Sequence, residues 1–448
     1  MDSETIRRRF EENHIRRVKL GAFDTDATLR GKYISLEKFW SAAESGLGFC
    51  DVIFGWDIGD VLYDNAKYTG WHTGYPDALC RIDVDSMRLV PWEPGTAFFL
   101  LDFYAPDRSP LGIAPRQVFR RVLDRAAERG YHAHFAAEYE FFIFRETAAS
   151  LREKHFSALT PLSPGMFGYS VLRASANADL VLDIMEALAG FDVPLEGFHT
   201  ETGPGVYEAA ITVETGLTAA DRAALFKTAV KEICARHNVT STFMAKWNSA
   251  LPGCSGHIHQ SLSPVDGPDN LFYGERTMPD AMRHYIAGLV ENMRELTAIF
   301  CPTINSYKRT VPGAWAPVNA TWGMDNRTTA VRAIPGGKKS SRVELRVTGA
   351  DINPYLAMAA SLAAGLDGIE RKLQLPPPTV NAYAGAGEAP PLPRTLAEAT
   401  ALFRQSRVAR EWLGEDFVDH FAITREWEVR QHDIAVSDWE LARYFESV

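Results

Sequence analysis

Four short strand-like segments of the chain each place charged or imidazole side chains on a single face. They are HFAAEYEFFIF, HTETGPGVYEAAI, SGHIHQSL and SRVELRV, and their ionisable residues are Glu138, Glu140, Glu201, Glu208, His257, His259 and Glu344. Residues two apart in a β-strand point to the same side of the sheet. If these strands lie side by side, the carboxylates and imidazoles converge. Carboxylates that crowd in a cleft repel one another unless cations hold them. The sequence therefore predicts a divalent-metal site.

A second group of side chains is basic and falls within one stretch near the third quarter of the chain. It contains Lys308, Arg309, Arg327, Arg332, Lys338, Lys339, Arg342 and Arg346. A solvated surface is the ordinary interpretation of such a group. Arginine, however, binds carboxylate and phosphate through two parallel hydrogen bonds. A phosphoryl-transfer site typically combines metal ions held by carboxylates with nearby arginines. The sequence has no GxxxxGK[ST] loop, so a nucleotide would be held in another way.

Composition predicts an ordinary soluble protein. The chain has 448 residues, 46% of them hydrophobic, and a net charge of −10. The negative charge argues against binding of nucleic acid or anionic membranes. We see no apolar run long enough to span a membrane and no signal peptide at the charged N-terminus. Five scattered cysteines indicate reduced thiols and a cytoplasmic protein.

The order of predicted elements indicates an α+β protein with two domains. Residues 1–105 form a small N-terminal domain, and the Pro- and Gly-rich stretch APDRSPLGIAP precedes a larger catalytic domain over 106–448. Pro115 opens a helix that Gly130 closes. A second helix follows Asp351, its expected N-cap, and a long loop with the sequence QLPPPTVNAYAGAGEAPPLPR comes next. Two C-terminal helices are expected near 395–413 and 437–447.

The whole chain resembles the glutamine synthetase family. The resemblance is carried by EYEFFIF, HTETGPGVYE, FMAKW…CSGHIHQSL, NSYKR…PGAWAP…DNRTTAVR, RVELRVTGAD and NPYLAMAASLAAGLDGIE, in the family's order and spacing. It implies an N-terminal β-grasp-like domain and a catalytic domain with a curved antiparallel sheet flanked by helices. It also implies a homo-oligomer, commonly a dodecamer of two stacked hexameric rings, with each site between adjacent subunits.

The resemblance also implies a reaction and a role for each site residue. ATP phosphorylates the γ-carboxylate of glutamate, and an amine then displaces phosphate from γ-glutamyl phosphate. Glu140, Glu201 and Glu208 would hold one Mg²⁺ or Mn²⁺, and Glu138, His257 and Glu344 the other. Arg309 and Arg346 match the positions that bind glutamate, and Glu140 and Gly253 would lie beside the bound glutamate. Arg327 and Arg332 match the positions that stabilise the transferring phosphoryl group. His259, Ser261, Lys339 and Arg342 match contacts to ATP.

The chain departs from glutamine synthetases at the residues that handle ammonia. Trp315 of PGAWAP stands where those enzymes carry a flap glutamate. Their N-terminal aspartate is also missing, although Asp51, Asp57 or Asp60 could replace it. A tryptophan offers an apolar or cation–π face instead of a carboxylate. We therefore expect an organic amine to pack on Trp315, with Trp247 and Trp322 adding to the surface. The pattern AWAPVNATWGMDNRTT also resembles the family's glutamate–polyamine, methylamide and anilide ligases more than its true glutamine synthetases.

Several alternatives stay open at this point. Trp315 can be a structural residue of the flap, with ammonia still the nucleophile. A polyamine would need further carboxylates, for which Asp57, Asp60 and Asp325 are candidates, whereas a monoamine would need the aromatic wall alone. An inactive relative and a metal-dependent hydrolase are the remaining rivals. Tyr383 lies near the position where bacterial glutamine synthetases are adenylylated, but its different neighbours predict no such control.

Overall fold

The computed structural model describes residues 1–383 and 389–448, and it contains two β-sheets. The middle of the predicted long loop, residues 384–388, lies outside the described residues. The strands of the first sheet are β1 (Arg17–Phe23), β2 (Leu29–Ile34), β3 (Leu47–Cys50), β4 (Asp77–Leu89) and β5 (Thr96–Tyr104). Their order is β2-β1-β5-β4-β3, and only β1 and β5 run parallel. The division at residue 105 and the β-grasp class stay predictions.

The second sheet carries the segments that the sequence singled out. Its strands are β6 (Tyr131–Phe144), β7 (Leu195–Thr200), β8 (Val206–Ile211), β9 (Glu214–Thr215), β10 (Thr240–Thr242), β11 (Gly256–Pro264), β12 (Trp322–Met324), β13 (Val331–Ile334) and β14 (Arg342–Leu345). The main path is β12-β13-β14-β11-β6-β8-β7, and β9 and β10 pair with β6. All of these pairs are antiparallel except β12 with β13. The sheet is strongly curled, as the prediction of a curved antiparallel sheet requires.

Helices accompany both sheets, and the first two of them pack against the apolar core of the first sheet. They are α1 (Ser3–Glu12), α2 (Leu36–Ser45), α3 (Pro115–Glu128), α4 (Ala148–Glu153), α5 (Val171–Ser175), α6 (Ala178–Gly190), α7 (Gly216–Arg236), α8 (Asp280–Phe300), α9 (Ser306–Arg309), α10 (Pro354–Glu370), α11 (Leu396–Gln405), α12 (Arg407–Leu413), α13 (Glu415–Ile434) and α14 (Asp438–Tyr444). No helix within the described ranges is both long and apolar enough to cross a bilayer.

The alternation of β6 explains why one face of the sheet is apolar. Tyr139 lies between the two glutamates along the strand, Phe141 follows them, and both are fully buried. The Tyr139 ring stacks on Phe226 of α7, with 5.8 Å between ring centroids. Apolar burial of this kind drives folding. The same strand therefore turns Glu138 and Glu140 to its opposite face.

A buried cluster of ion pairs connects the first sheet to helices that pack on the second sheet. Arg116, at the start of α3, donates hydrogen bonds to Asp102 of β5 at 2.8 Å, to Asp83 of β4 at 2.6 Å and to Asp221 of α7 at 2.9 Å. Tyr355 of α10 donates to Asp221 at 2.7 Å. One guanidinium thus joins the first sheet to α7, and Asp221 extends the cluster to α10.

Two predictions about the helices are wrong. Asn353, not Asp351, caps α10, and its side chain accepts a hydrogen bond from the backbone N–H of Tyr355 at 3.1 Å. Asp351 instead accepts hydrogen bonds from the hydroxyls of nearby residues. The helix expected near 395–413 breaks at Ser406, whose extended backbone ends α11 and whose hydroxyl caps α12. Helix α13 was not predicted.

Candidate active site

The polar face of the second sheet brings most of the predicted residues together through cross-strand pairing. His257 of β11 lies opposite Glu138 of β6, and Glu208 of β8 lies opposite Glu140. Farther along the sheet, the pairs that lie opposite each other are His259 with Glu344, Arg332 with Glu344, and His199 with Glu208. Directly paired residues project from the same face. The alternation seen in the sequence therefore becomes one continuous polar surface.

The first of two clusters on this surface contains Glu138, His257, His259 and Glu344, and we call it the Glu344 cluster. Nδ1 of His257 lies 3.2 Å from Glu138 Oε1 and 3.2 Å from Glu344 Oε1. Burial, with Arg346 nearby, lowers the pKa of His257 to about 4, so its ring is neutral at physiological pH. Neutral imidazole is the form that binds metals.

Glu344 is the most deeply buried carboxylate of that cluster, with a side chain only 1% exposed. Burial tends to raise its pKa, but His257 and Arg346 outweigh that effect and lower it to about 2. Glu344 pairs with Arg346 and, at 2.9 Å, with Arg332. His259 completes the cluster: its Nε2 lies 3.4 Å from Glu138, and its Nδ1 accepts a hydrogen bond from Arg342 at 3.0 Å. The carboxylate is therefore ionised and held in place from several sides.

The second cluster contains Glu140, His199, Glu201 and Glu208, and we call it the Glu208 cluster. Glu140 accepts a hydrogen bond from the backbone N–H of Ser255 at 2.6 Å. Burial, and then repulsion by Glu208, raise the pKa of Glu140 to about 7. Burial raises the pKa of Glu208 as well. The ionised form of Glu140 is therefore destabilised in this cluster, and a bound cation would stabilise it.

Donor atoms of His199, Glu201 and Glu208 lie within 4.8 Å of one another. The Nε2 atom of His199 is 3.0 Å from Glu208 Oε1. Its ring also packs against Tyr169 at a centroid distance of 4.4 Å. Burial and the charges of Glu201 and Glu208 raise the pKa of Tyr169 to about 12, while Arg327 acts to lower it. Arg327 therefore lies within electrostatic reach of Tyr169, whose ring packs against the Glu208 cluster.

The predicted glutamate-binding arginines lie beside the two clusters. Arg309 is buried and donates hydrogen bonds to the carbonyls of Val347 and Arg346 and to the hydroxyl of Ser255, at 3.1, 3.2 and 3.2 Å. Arg346 donates to the carbonyl oxygen of Arg327 at 3.1 Å. A Cβ on Gly253 would stand 2.8 Å from Arg309 Cγ, so the glycine makes room for this arginine.

Trp315 projects from the turn that follows α9, and its side chain is 63% exposed. Tyr383 lies beside the Trp315 backbone and within electrostatic reach of Arg309 and Arg346, and its phenol oxygen is buried. Burial raises the pKa of Tyr383. Through Tyr383, the backbone of Trp315 is therefore connected to the region of the arginines predicted to bind glutamate.

The other two tryptophans do not share this position. Trp322 is only 6% exposed and donates a hydrogen bond to the carbonyl of Pro376 at 2.8 Å. Trp247 packs against Phe144 of β6, with 4.7 Å between ring centroids. The inward position of Trp322 argues against its part in the expected aromatic surface, whereas Trp247 is half-buried and its part in that surface stays a prediction.

Two predicted nucleotide residues lie at the margin of the polar surface. Ser261 follows His259 by two positions on β11, so it shares that face, and Lys339 is exposed in the turn between β13 and β14. Sequence reasoning missed His199 and Tyr169. His199 precedes Glu201 by two residues, the same spacing that identified His257 and His259. Tyr169 has no such signal, since its loop backbone adopts a positive φ of 56°.

The donor sets of both clusters fit divalent cations. Each cluster combines carboxylates with at least one imidazole, a ligand set that Mn²⁺ and related metals accept. Glu138 and Glu140, which anchor the two clusters, are two residues apart on one strand, or about 6.6 Å along it. His257 is neutral and so has a free lone pair for a metal, and a cation would neutralise the charge that raises the pKa of Glu140.

Known proteins resemble this chain over nearly its full length. A type-1 glutamine synthetase of Dictyostelium discoideum is 49% identical over 96% of this chain and 84% of its own length. A glutamate–isopropylamine ligase of a Pseudomonas species is 39% identical and aligns over 99% of this chain and 98% of its own length. A gamma-glutamylethanolamide synthetase of Streptomyces coelicolor is 38% identical, covering 96% of this chain and 92% of its own.

Structure comparison agrees with sequence comparison. The chain superposes on a solved GmaS/ADP complex with a TM-score of 0.85, at 28% identity, over 99% of each chain. Residues 112–444 match the model of the glutamine synthetase catalytic domain. The chain therefore belongs to the glutamine synthetase family of ATP-dependent carbon–nitrogen ligases.

Proposed function

We propose that this enzyme uses ATP to join the γ-carboxylate of glutamate to a small organic amine. A carboxylate oxygen attacks the γ-phosphorus of ATP and ADP leaves, which gives γ-glutamyl phosphate. The amine nitrogen then attacks the carbonyl carbon, phosphate leaves, and a proton is released. The observation that carries the proposal is the exposed indole of Trp315, at the position where the family's glutamine synthetases carry a glutamate. The backbone of Trp315 lies beside Tyr383, which is within electrostatic reach of Arg309 and Arg346.

The two clusters are proposed to hold two Mg²⁺ or Mn²⁺ ions, which would neutralise phosphate charge and polarise the reacting groups when bound. The Glu208 cluster supplies Glu140, Glu201 and Glu208 to one ion. The Glu344 cluster supplies Glu138, His257 and Glu344 to the other. The buried, like-charged carboxylates on one face of the sheet support this assignment.

The basic residues are proposed to bind the substrates. Arg309 and Arg346 would hold the carboxylate of glutamate, since three acceptors fix the Arg309 guanidinium and Glu344 fixes that of Arg346. Arg327 and Arg332 would stabilise the transferring phosphoryl group. The proposed contacts to ATP are His259, Ser261, Lys339 and Arg342. Contact between His259 and Arg342 supports their acting together.

A small monoamine fits the described residues better than a polyamine. A distal ammonium group would need a free carboxylate, and each of the three candidates already has partners. Asp325 accepts hydrogen bonds from Arg332 at 2.5 and 3.0 Å, and Asp60 pairs with Arg30 at 2.6 Å. Asp57 accepts from the indole N–H of Trp427 at 3.1 Å. The relatives named for isopropylamine and ethanolamide support the same substrate class.

Ammonia is the second candidate nucleophile, because a relative at 49% identity is called a glutamine synthetase. Phosphate release with glutamate and ATP, measured against ammonia, methylamine, ethanolamine, isopropylamine, putrescine and aniline, decides between them. We expect a monoamine to give the highest kcat/KM. Ammonia as the best substrate would refute the amine assignment, and putrescine as the best would refute the monoamine assignment. Product formed without ATP would point to a hydrolase, and no turnover with any nucleophile to an inactive relative.

The assembly and location are proposed on the family resemblance alone. We propose an N-terminal β-grasp-like domain over residues 1–105, a cytoplasmic location, and a homo-oligomer that is a dodecamer of two stacked hexameric rings. The exposed aromatic residues of α14 and the segment after it, Trp439, Tyr444 and Phe445, support burial against another chain. Light scattering of the purified protein measures the subunit number directly.

A further inference from the structure

His199 is paired with Glu208, the carboxylate after which the Glu208 cluster is named. Cross-strand register sets it opposite Glu208, and its Nε2 atom lies 3.0 Å from Glu208 Oε1. Donor atoms of His199, Glu201 and Glu208 all lie within 4.8 Å of one another. One cation could therefore reach all three residues.

The other ring nitrogen determines which atom of His199 faces the cluster. Nδ1 lies 3.2 Å from the carbonyl oxygen of Thr200, and a carbonyl can only accept a hydrogen bond. The Nδ1–H group therefore donates to Thr200, and in the neutral ring Nε2 presents a lone pair to Glu208. Two acceptors 3.0 Å apart need a proton or a cation between them. Metal-binding histidines are commonly oriented by a backbone carbonyl in this way.

Tyr169 holds the plane of the His199 ring. The two rings are 4.4 Å apart between centroids and 32° apart in plane. The backbone N–H of Tyr169 donates a hydrogen bond to Thr200 at 2.6 Å, so the same residue positions both rings. The imidazole is thus fixed before any ligand arrives.

We propose that His199 binds the cation of the Glu208 cluster through Nε2, beside the carboxylates of Glu201 and Glu208. The inference deepens the proposed function, on which it rests, by adding an imidazole to a site predicted to contain only carboxylates. Imidazole nitrogen favours Mn²⁺ over Mg²⁺, which prefers oxygen ligands. The Glu208 cluster therefore binds Mn²⁺ more tightly than Mg²⁺.

The test measures metal binding rather than turnover. In the background variant His257→Gln/His259→Gln the Glu344 cluster has no imidazole, so any ¹⁴N coupling to bound Mn²⁺ in pulsed EPR must come from the Glu208 cluster. We expect that coupling in the background variant and expect its loss when His199→Gln or His199→Asn is added. The asparagine amide can still donate to Thr200, whereas the glutamine amide reaches toward the cation with an oxygen.

Affinities measured by calorimetry complete the test in the otherwise unaltered protein. His199→Asn should weaken Mn²⁺ binding about 10–100-fold, the range seen when groups around a metal are removed. His199→Gln should lose Mn²⁺ affinity and retain most Mg²⁺ affinity. The matched control is His237→Gln, which removes a histidine 2.7 Å from Asp183 on the protein surface and should change neither affinity.

The outcomes separate this inference from the proposed function. Mn²⁺ binding with no ¹⁴N coupling in the background variant, or with unchanged affinity in His199→Asn, overturns the role of His199 and leaves the ligase assignment standing. Failure of the unaltered protein to bind any divalent cation overturns both.

Discussion

Replacing the exposed indole should change amine preference in proportion to the size of the amine. Trp315 is 63% exposed, so its face can accept the carbon atoms of a substrate. Burial of one methylene is worth about 0.8 kcal/mol, which corresponds to about 4-fold in kcat/KM. In Trp315→Ala we therefore expect methylamine to lose about 4-fold and isopropylamine, with three carbons, about 60-fold. Ammonia, which has no carbon, should be unaffected.

The assay is coupled measurement of ADP release at saturating glutamate and ATP, with each amine varied. Trp315→Phe is the matched control, because it retains an aromatic face and should lose much less. The backbone at residue 315 has a φ of 56°, and alanine carries the same Cβ as tryptophan, so the substitution does not change backbone strain. An equal loss for ammonia and isopropylamine would show that Trp315 only shapes the flap, and the amine argument would fail.

The buried charges allow two further predictions. Glu344→Gln leaves Arg346 and Arg332 without their buried counter-ion and should lower the free energy of unfolding by about 3–5 kcal/mol in urea titrations. Glu426→Gln, at an exposed pair, should cost less than about 1 kcal/mol, and equal effects would contradict the reasoning. Because the pKa of Glu140 rises from 4.5 to about 7 on folding, the folded state of the metal-free protein holds that proton more tightly. The pKa of His257 falls to about 4 on folding, so its contribution to stability rises with pH over the same range, and the contribution of Glu140 is measured as the difference in unfolding free energy between the metal-free unaltered protein and Glu140→Gln. That difference should fall by up to about 3 kcal/mol between pH 4.5 and 7. Added Mg²⁺ should remove its pH dependence, and a constant difference in the metal-free proteins would show that Glu140 stays ionised.

Most of the polar surface could be predicted from strand alternation. Glu138 and Glu140 had to share a face because successive side chains in any strand point to opposite sides. The same local rule applied to His257 and His259. It needed no knowledge of neighbouring strands, and the apolar residues between these positions indicated which face would be buried.

Helix α13 shows where local patterns fail. It buries His420, Thr424 and Arg425 along with its apolar residues, so the apolar stripe that marks a helix in sequence is interrupted. Arg425 donates a hydrogen bond of 2.6 Å to Asp26, which is almost the whole chain length away in sequence. Only the folded chain brings that partner close, so the sequence offers no local reason to expect a buried arginine there.

The sequence by itself determined which side chains share a strand face, because that depends on backbone geometry alone. The tertiary structure decided which strands are neighbours and in what register, since pairing follows from burial of apolar surface contributed by distant segments. It thereby placed His199 against Glu208, turned Trp322 inward and left Trp315 exposed. These positions result from packing between segments that are distant in sequence, and the spacing of residues within one segment cannot predict them.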